Sequence, residues 1–364
     1  MRSPALRHVL THLITPLLMC IGMGLAYMGA FVTPEPHHLP VAVVGTAPKA
    51  KVFAQTVKDA AGDKLDVRTV ATRADAVHLL RSREVTGAYV PSARKPELLV
   101  ATAASDMGAT AVEKVFTPVA AREGVPLKVT DVAAPVADDP TGQGLFFLLV
   151  AVSIGSYASV AALGAAGAAL AMRVRALLAL GVAAVVGGIG ALLAGPVFHL
   201  AHHDLAGVWG MASLYSAGIL LLGVGLHTFL KRWTTLTMMV LFVMLNFTSS
   251  GGLFRPELQN GFFGALHAFW NGAGFVEGAR GLLYFGGDGL TRSVWTLVAW
   301  LLAGVLVTAV AALYERTRAA RQETTAPEAG TASAVSGPER GTRRAAEEQA
   351  AQEAEEEAEE TVGV

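Results

Sequence analysis

The chain has little charge and almost no means of cross-linking itself. Of its 364 residues 16% are charged against 53% hydrophobic, with a mean hydropathy of +0.48. A soluble domain carries roughly 25% charged residues, so the shortage points to a membrane protein. The single cysteine, Cys20, sits inside an apolar run. No intrachain disulfide can form, and any part facing an oxidising exterior has to fold without covalent staples. Enzyme signatures are missing too: there is no GxxxxGK(S/T) loop, no HExxH and no GxSxG. The chain therefore does not hydrolyse ATP by the P-loop route. We expect no enzymatic activity, no cofactor and no nucleic-acid partner. Lysine is absent outside the block Lys49 to Lys128, apart from Lys231.

What is present is a series of apolar runs. Val9–Val32 follows a short basic start with Arg2 and Arg7. It is long enough to cross a hydrocarbon core of about 30 Å, which takes about 20 helical residues. It is also longer than the roughly 7–15 apolar residues of a signal peptide, and no A-x-A site follows, so it reads as an uncleaved anchor. Further runs are Gly144–Met172, Ala176–Phe198, Val208–Leu230, Thr234–Ser250 and Ser293–Tyr314. Gly187, Ala191 and Gly195, four apart, let helices approach closely. Trp295 fits an interfacial anchor. Arg2 and Arg7, Arg173 and Arg175, Lys231 and Arg232, and Arg316, Arg318 and Arg321 all flank the runs on one side. The positive-inside rule places that side in the cytoplasm, with both termini.

Between the first two runs, Val41–Val44, Leu65–Val70, Thr86–Val90, Pro96–Thr102 and Leu127–Val132 read as strands. Lys49–Ala61, Arg73–Arg81 and Asp106–Arg122 read as helices. The alternation predicts an α/β domain with a largely parallel or mixed sheet, and no glycine-rich phosphate loop follows any strand. The last 49 residues, 316–364, are polar and end in a glutamate-rich run. Such a tail buries no apolar surface and is expected to be disordered and cytoplasmic. His199, His202, His203 and Asp204 could together ligate Zn²⁺ or Cu²⁺. Without further ligands a polar loop at the membrane surface is the better reading, and no metal is expected.

The most unusual stretch is Leu245–Phe285. It is too polar and glycine-rich for a lipid-facing helix, and too aromatic for a solvated loop. In a membrane protein such backbone persists only where protein buries it or a wet cavity lines it. It reads as a re-entrant cap, 251–285. Glu277 and Arg280, three apart, would pair on one helix face. Arg255 and Glu257 flank Pro256, where a helix can begin. Asn246 is either an interhelical hydrogen bond or part of a translocation path. The expected fold is an α-helical polytopic membrane protein. It has six transmembrane helices plus a re-entrant element, and an inserted extracytoplasmic α/β domain. The parts are 1–32 (cytoplasmic end and first helix), 33–143 (α/β domain), 144–315 (five-helix membrane domain) and 316–364 (acidic tail).

This layout resembles the ABC-2-type transporter permeases, in their phage-infection-protein-like (YhgE/Pip-like) branch. The residues that carry the likeness are Ser249, Ser250, Gly251, Gly252, Pro256, Glu257, Leu258, Phe262, Phe263, Glu277, Gly278 and Arg280. Asp139-Pro140-Thr141-Gly142 followed by Gly144-Leu145-Phe146-Phe147 adds to it. The resemblance implies a permease subunit of an exporter in a bacterial plasma membrane, working as a homodimer with a separate ABC ATPase. Its substrate would be an amphiphile, and its cap residues would include Asn246, Ser249, Gly251, Gly252, Arg255, Pro256, Glu257, Glu277 and Arg280. Members often carry a sizeable loop between the second and third spans that docks the ATPase. Here the coupling turn would be no more than Arg173 to Arg175. The alternative is a non-transporting envelope protein whose external domain binds a secretion, cell-wall or phage partner.

The orientation has a direct check. A reporter that works only outside the cytoplasm, fused after Gln143, is expected to be active. Activity there of a reporter that works only in the cytosol overturns the arrangement.

Overall fold

Apolar backbone in lipid has to pair its own N–H and C=O groups, which a helix does within one segment. The computed structural model describes residues 4–122, 124–167 and 169–325; Arg2 and the acidic tail beyond Thr325 lie outside the described residues. Among the described residues, five segments are long and apolar enough to cross a membrane: Leu13–Phe31, Gly144–Ala165, Met172–Val197, Leu205–Ser249 and Leu290–Arg321. The chain divides into two units, 1–315 and 316–364.

Helix α1 (Pro4–Phe31) leads into alternating strands and helices. These are β1 (Leu39–Val44), α2 (Pro48–Ala61), β2 (Leu65–Val70), α3 (Arg73–Arg81), β3 (Gly87–Val90), β4 (Glu97–Val100), α4 (Asp106–Arg122) and β5 (Lys128–Asp131). They form one sheet in the order β2-β1-β3-β4-β5. β1 runs parallel to β2 and β3, β3 antiparallel to β4, and β4 parallel to β5. Because strand side chains alternate faces, the sheet has two cores. Leu39, Val41, Tyr89 and Leu98 pack with Val112 and Phe116 of α4 on one side. Ala42, Ala88 and Leu99 pack with Ala76 and Leu80 of α3 on the other. Each core is completed from far along the chain, the first by Leu258 and the second by Phe285.

The long helices follow: α5 (Gly144–Ala165), α6 (Met172–Leu192) and α7 (Leu205–Leu230). Asp139 caps α5, accepting from the backbone N–H of Gln143 and Gly144 at 3.1 and 2.8 Å. The expected span Thr234–Ser250 is not a long helix of its own. α7 stops where Lys231 takes φ 46°, a left-handed value unfavourable for a lysine. The chain then turns through Lys231–Trp233. It returns as α8 (Thr234–Met239), a π-helical stretch Val240–Met244 and α9 (Leu245–Ser249). The return is antiparallel to α7. His227 meets Thr234 at 3.2 Å, Gly223 lies against Met238, and Asn246 Nδ2 donates to Tyr215 Oη at 2.7 Å.

Small residues set the helix spacing. A Cβ built on Gly187 of α6 would stand 2.8 Å from the backbone N of Ser213 in α7. On Gly225 of α7 it would stand 2.8 Å from the N of Thr308, in α12 (Leu290–Thr325). Contacts at Gly187–Ser213 and Gly195–Leu205 make α6 and α7 antiparallel. Those at Gly218–Leu301 and Gly225–Thr308 make α7 and α12 parallel. At the far end of the bundle the Arg175 guanidinium donates to both Glu315 oxygens, at 2.5 and 2.6 Å. Thr228 Oγ1 donates to the same carboxylate at 3.0 Å.

Beside the sheet, Glu97 accepts from Arg73 Nε at 2.9 Å, Thr130 Oγ1 at 2.7 Å and Lys128 Nζ at 3.3 Å. The Arg73 bond leads in holding the Glu97 carboxyl at about 2, below its ordinary 4.5. A carboxyl held low contributes stability that is complete above its unfolded value and is lost as pH falls toward the folded one. The gap in thermal midpoint between the parent chain and E97Q should therefore be constant above pH 4.5 and close as pH approaches about 2. A gap undiminished at the low end contradicts the assignment.

Candidate functional site

The site is built by the stretch after α9. Gly251 takes φ +72°, and a Cβ there would lie 2.6 Å from His267 Cε1, so the turn requires glycine. A Pro256–Leu258 turn follows, rather than a full helix. Then come α10 (Gly261–His267) and α11 (Asn271–Tyr284). The Asn260 side chain caps α10, accepting from the N–H of Phe262 and Phe263 at 3.1 and 3.3 Å.

α11 runs antiparallel to α7. Asn271 Nδ2 donates to the Tyr215 carbonyl at 3.3 Å, Gly278 packs on Met211, and Gly207 packs on Leu282. Tyr215 is ten residues into α7, so the start of α11 lies about 15 Å along that helix, and α11 climbs back from there. Asn246 holds this tip. Its Oδ1 accepts from Gly272 N at 2.7 Å while its Nδ2 donates to Tyr215 Oη. With both ends of the amide occupied and the side chain fully buried, Asn246 makes the interhelical hydrogen bond.

Above the tip, charged groups converge. Glu277 receives Arg280 Nη1 on one oxygen. Arg83 Nη1 donates to the other oxygen at 2.8 Å and to the Glu277 carbonyl at 3.0 Å. Arg280 Nη2 reaches the Gly251 carbonyl at 3.2 Å, and Arg83 Nη2 reaches the Asp288 carbonyl at 2.5 Å. Arg83 comes from the corner between α3 and β3. Its guanidinium lies over the Phe285 ring, 5.4 Å from the centroid. Glycine makes room for it: a Cβ on Gly289 would stand 2.4 Å from Arg83 Nη2. Burial pushes the Arg83 guanidinium below the ordinary arginine value; Glu277 opposes this, while Arg280 and Arg255 add to it. Arg255 pairs with both oxygens of Glu257, at 3.1 and 3.2 Å. His267 Nδ1 lies 3.0 Å from the Ser249 carbonyl.

Sequence reasoning paired Glu277 with Arg280; it placed Arg255 and Glu257 only as the flanks of Pro256, without their ion pair, and it missed Arg83. Gly252 is closed in by Phe146, and Ser249 Oγ donates to the Leu245 carbonyl at 2.6 Å. Pro256 lies on the wall of a cavity of about 440 Å³, together with Arg83, Arg255, Glu257, His267, Glu277 and Arg292. The expected coupling turn divides: Arg173 is exposed, whereas Arg175 is buried against Glu315. No group of three or more His, Cys, Asp or Glu among the described residues is placed to hold a metal ion. Asp204 instead caps α7 by accepting from Gly207 N at 3.2 Å.

No family model matches the chain, and neither does any curated protein or solved structure.

Arg83 and Glu277 should be energetically coupled. In a double-mutant cycle of R83M and E277Q, read by unfolding in detergent, we expect a coupling of about 1–3 kcal/mol. Additive effects would mean that the ion pair does not join the sheet to α11.

Proposed function

We propose that the chain is the permease subunit of an ABC-2-type exporter, acting as a dimer with a separate ATPase in a bacterial plasma membrane. The observation that carries this reading is the α10–α11 hairpin. Its tip is tied to Asn246 and Tyr215 inside the bundle, and its charged upper half is tied to Arg83 beside the sheet. A hairpin inserted among helices and closed over by a folded layer suits a gate on the outer side of a transport path. The reading takes the two arms of Leu205–Ser249 as separate crossings, which gives six. The alternating directions of α5, α6 and α7 and the parallel course of α12 agree with that count. The 33–143 layer then lies outside, and the connections from α5 to α6 and from α7 to α8 lie inside. The substrate on this reading is an amphiphile.

One observation favours the second reading, a non-transporting envelope protein. The inner connections are short, and the basic residue best placed for coupling, Arg175, is occupied by Glu315. That leaves Arg173, Lys231 and Arg232 as the exposed cations of the inner turns. The two readings separate on one measurement. A permease should co-purify with a P-loop ATPase whose hydrolysis rises in its presence, and R173E together with R232E should weaken that association. Failure to recover an ATPase from the native membrane, with the external domain still needed for the cellular phenotype, would decide for the second reading.

A further inference from the structure

The cavity beneath the sheet has an unbalanced charge. Four guanidinium groups gather at it or directly behind it, those of Arg83, Arg255, Arg280 and Arg292. Two carboxylates answer them. Glu277 is shared by Arg83 and Arg280, and Glu257 is taken by Arg255. A third acid, Asp288, is exposed, and the bond it offers Arg83 comes from its backbone carbonyl. Counting it still leaves one positive charge unmatched. That charge is on Arg292, near the start of α12. Arg292 enters no ion pair among the described residues. The one hydrogen bond its side chain makes there is a long one, 3.5 Å to the Ala268 carbonyl.

An excess of guanidinium around a partly enclosed space focuses a positive potential into it. The planar fork of arginine matches the oxygens of a phosphate or carboxylate. The Ser293 hydroxyl on the same wall is a further donor, whereas Ser82 and Thr296 give their hydroxyl protons to protein acceptors. Beside the lining residues Ala268 and Thr296, the next side chains are Phe269 and Trp295, 54% and 66% exposed. Exposed aromatics of this kind belong at the boundary between headgroups and acyl chains.

We propose that this cavity binds a phosphate-type anion as the headgroup of an amphiphile, with Arg292 as its principal unpaired contact and the attached chain lying along Phe269 and Trp295. The site stands whether or not the chain transports anything. A lipid headgroup and free phosphate share the chemistry, and the test separates them.

The purified full-length chain in mild detergent is titrated with short-chain phosphatidic acid, with phosphatidylcholine of the same chain length and with inorganic phosphate. Binding is read by native mass spectrometry and by the shift in thermal midpoint. Phosphatidic acid should bind at least about tenfold more tightly than phosphatidylcholine, the scale of one hydrogen bond to a charged group. R292Q should lose about the same factor, R292E should abolish binding, and R292K should retain most of it. Because Arg292 is exposed, the unliganded midpoints of the variants should match that of the parent, which shows that they fold. Inorganic phosphate binding as tightly as phosphatidic acid, and equally sensitive to R292Q, upholds the anion site and assigns it to a free anion. Equal affinity for phosphatidylcholine, or binding indifferent to R292Q and R292E, overturns the proposal. Anion binding by a chain that recruits no ATPase would leave this site standing and sink the permease reading alone.

Discussion

One carboxylate joins the two halves of this molecule. Glu277 receives a guanidinium from its own helix and another from the corner of the sheet region, 194 residues away in sequence. Taking charges out of water costs several kcal/mol each, and the mutual attraction repays that only when geometry is good and the remaining donors are satisfied. Backbone carbonyls take up most of those donors, although the buried Arg280 Nε has no partner among the described residues. Arg280 also donates to Gly251, where the stretch begins, and Arg83 also donates to Asp288, where it ends. Glu277 thus fixes the start, the end and the roof of the α10–α11 hairpin together. Without it, two buried guanidiniums would face each other with no counter-charge.

That arrangement depends on missing side chains as much as on charged ones. Asn246 can bond Gly272 N only because residue 272 has no Cβ, which would lie 2.4 Å from the amide oxygen. Arg83 can enter its notch only because residue 289 is glycine. Elsewhere Gly187 and Gly225 bring whole helices to backbone contact. In lipid, where helix association gains little from hydrophobic burial, close packing and interhelical hydrogen bonds do that work. The many glycines of this chain are therefore part of its adhesive, although each costs conformational entropy.

Local chemistry was legible in the sequence, and distant pairing was not. The helix at Arg73–Arg81 starts at a reciprocal capping box between Thr72 and Asp75, a signal written within four residues. Asp106–Arg122 and the strand at Leu65–Val70 follow from periodicity alone. The Glu277–Arg280 pair was legible because helical spacing of three puts both on one face. Arg83 was not, since nothing around a basic residue just after a short helix says which carboxylate it will meet. The break at Lys231 was visible as a charged turn, but the shortness of the returning arm was not. Its π-helical stretch Val240–Met244 depends on packing against neighbours rather than on local preference.

The hairpin also shows how irregular backbone survives at depth. Between α10 and α11 the chain leaves helical geometry, which in hydrocarbon would strand carbonyls at several kcal/mol each. Here indole N–H groups attend to the same region: Trp300 Nε1 donates to the Phe269 carbonyl at 2.8 Å, and Trp270 Nε1 to the Leu241 carbonyl at 3.2 Å. At the first turn of α11, Gly272 N is taken by Asn246 and Gly274 N by the Trp270 carbonyl. The tip is thus tied down by neutral hydrogen bonds and the upper half by ions. After α11 the chain turns through Gly286, Gly287 and Gly289, all at positive φ, values that glycine adopts without steric cost. That turn stands beside the Arg83–Glu277 bond, which ties the sheet region to the hairpin, whereas the bonds of the tip lie a full helix away, so ions hold one end of α11 and neutral groups the other.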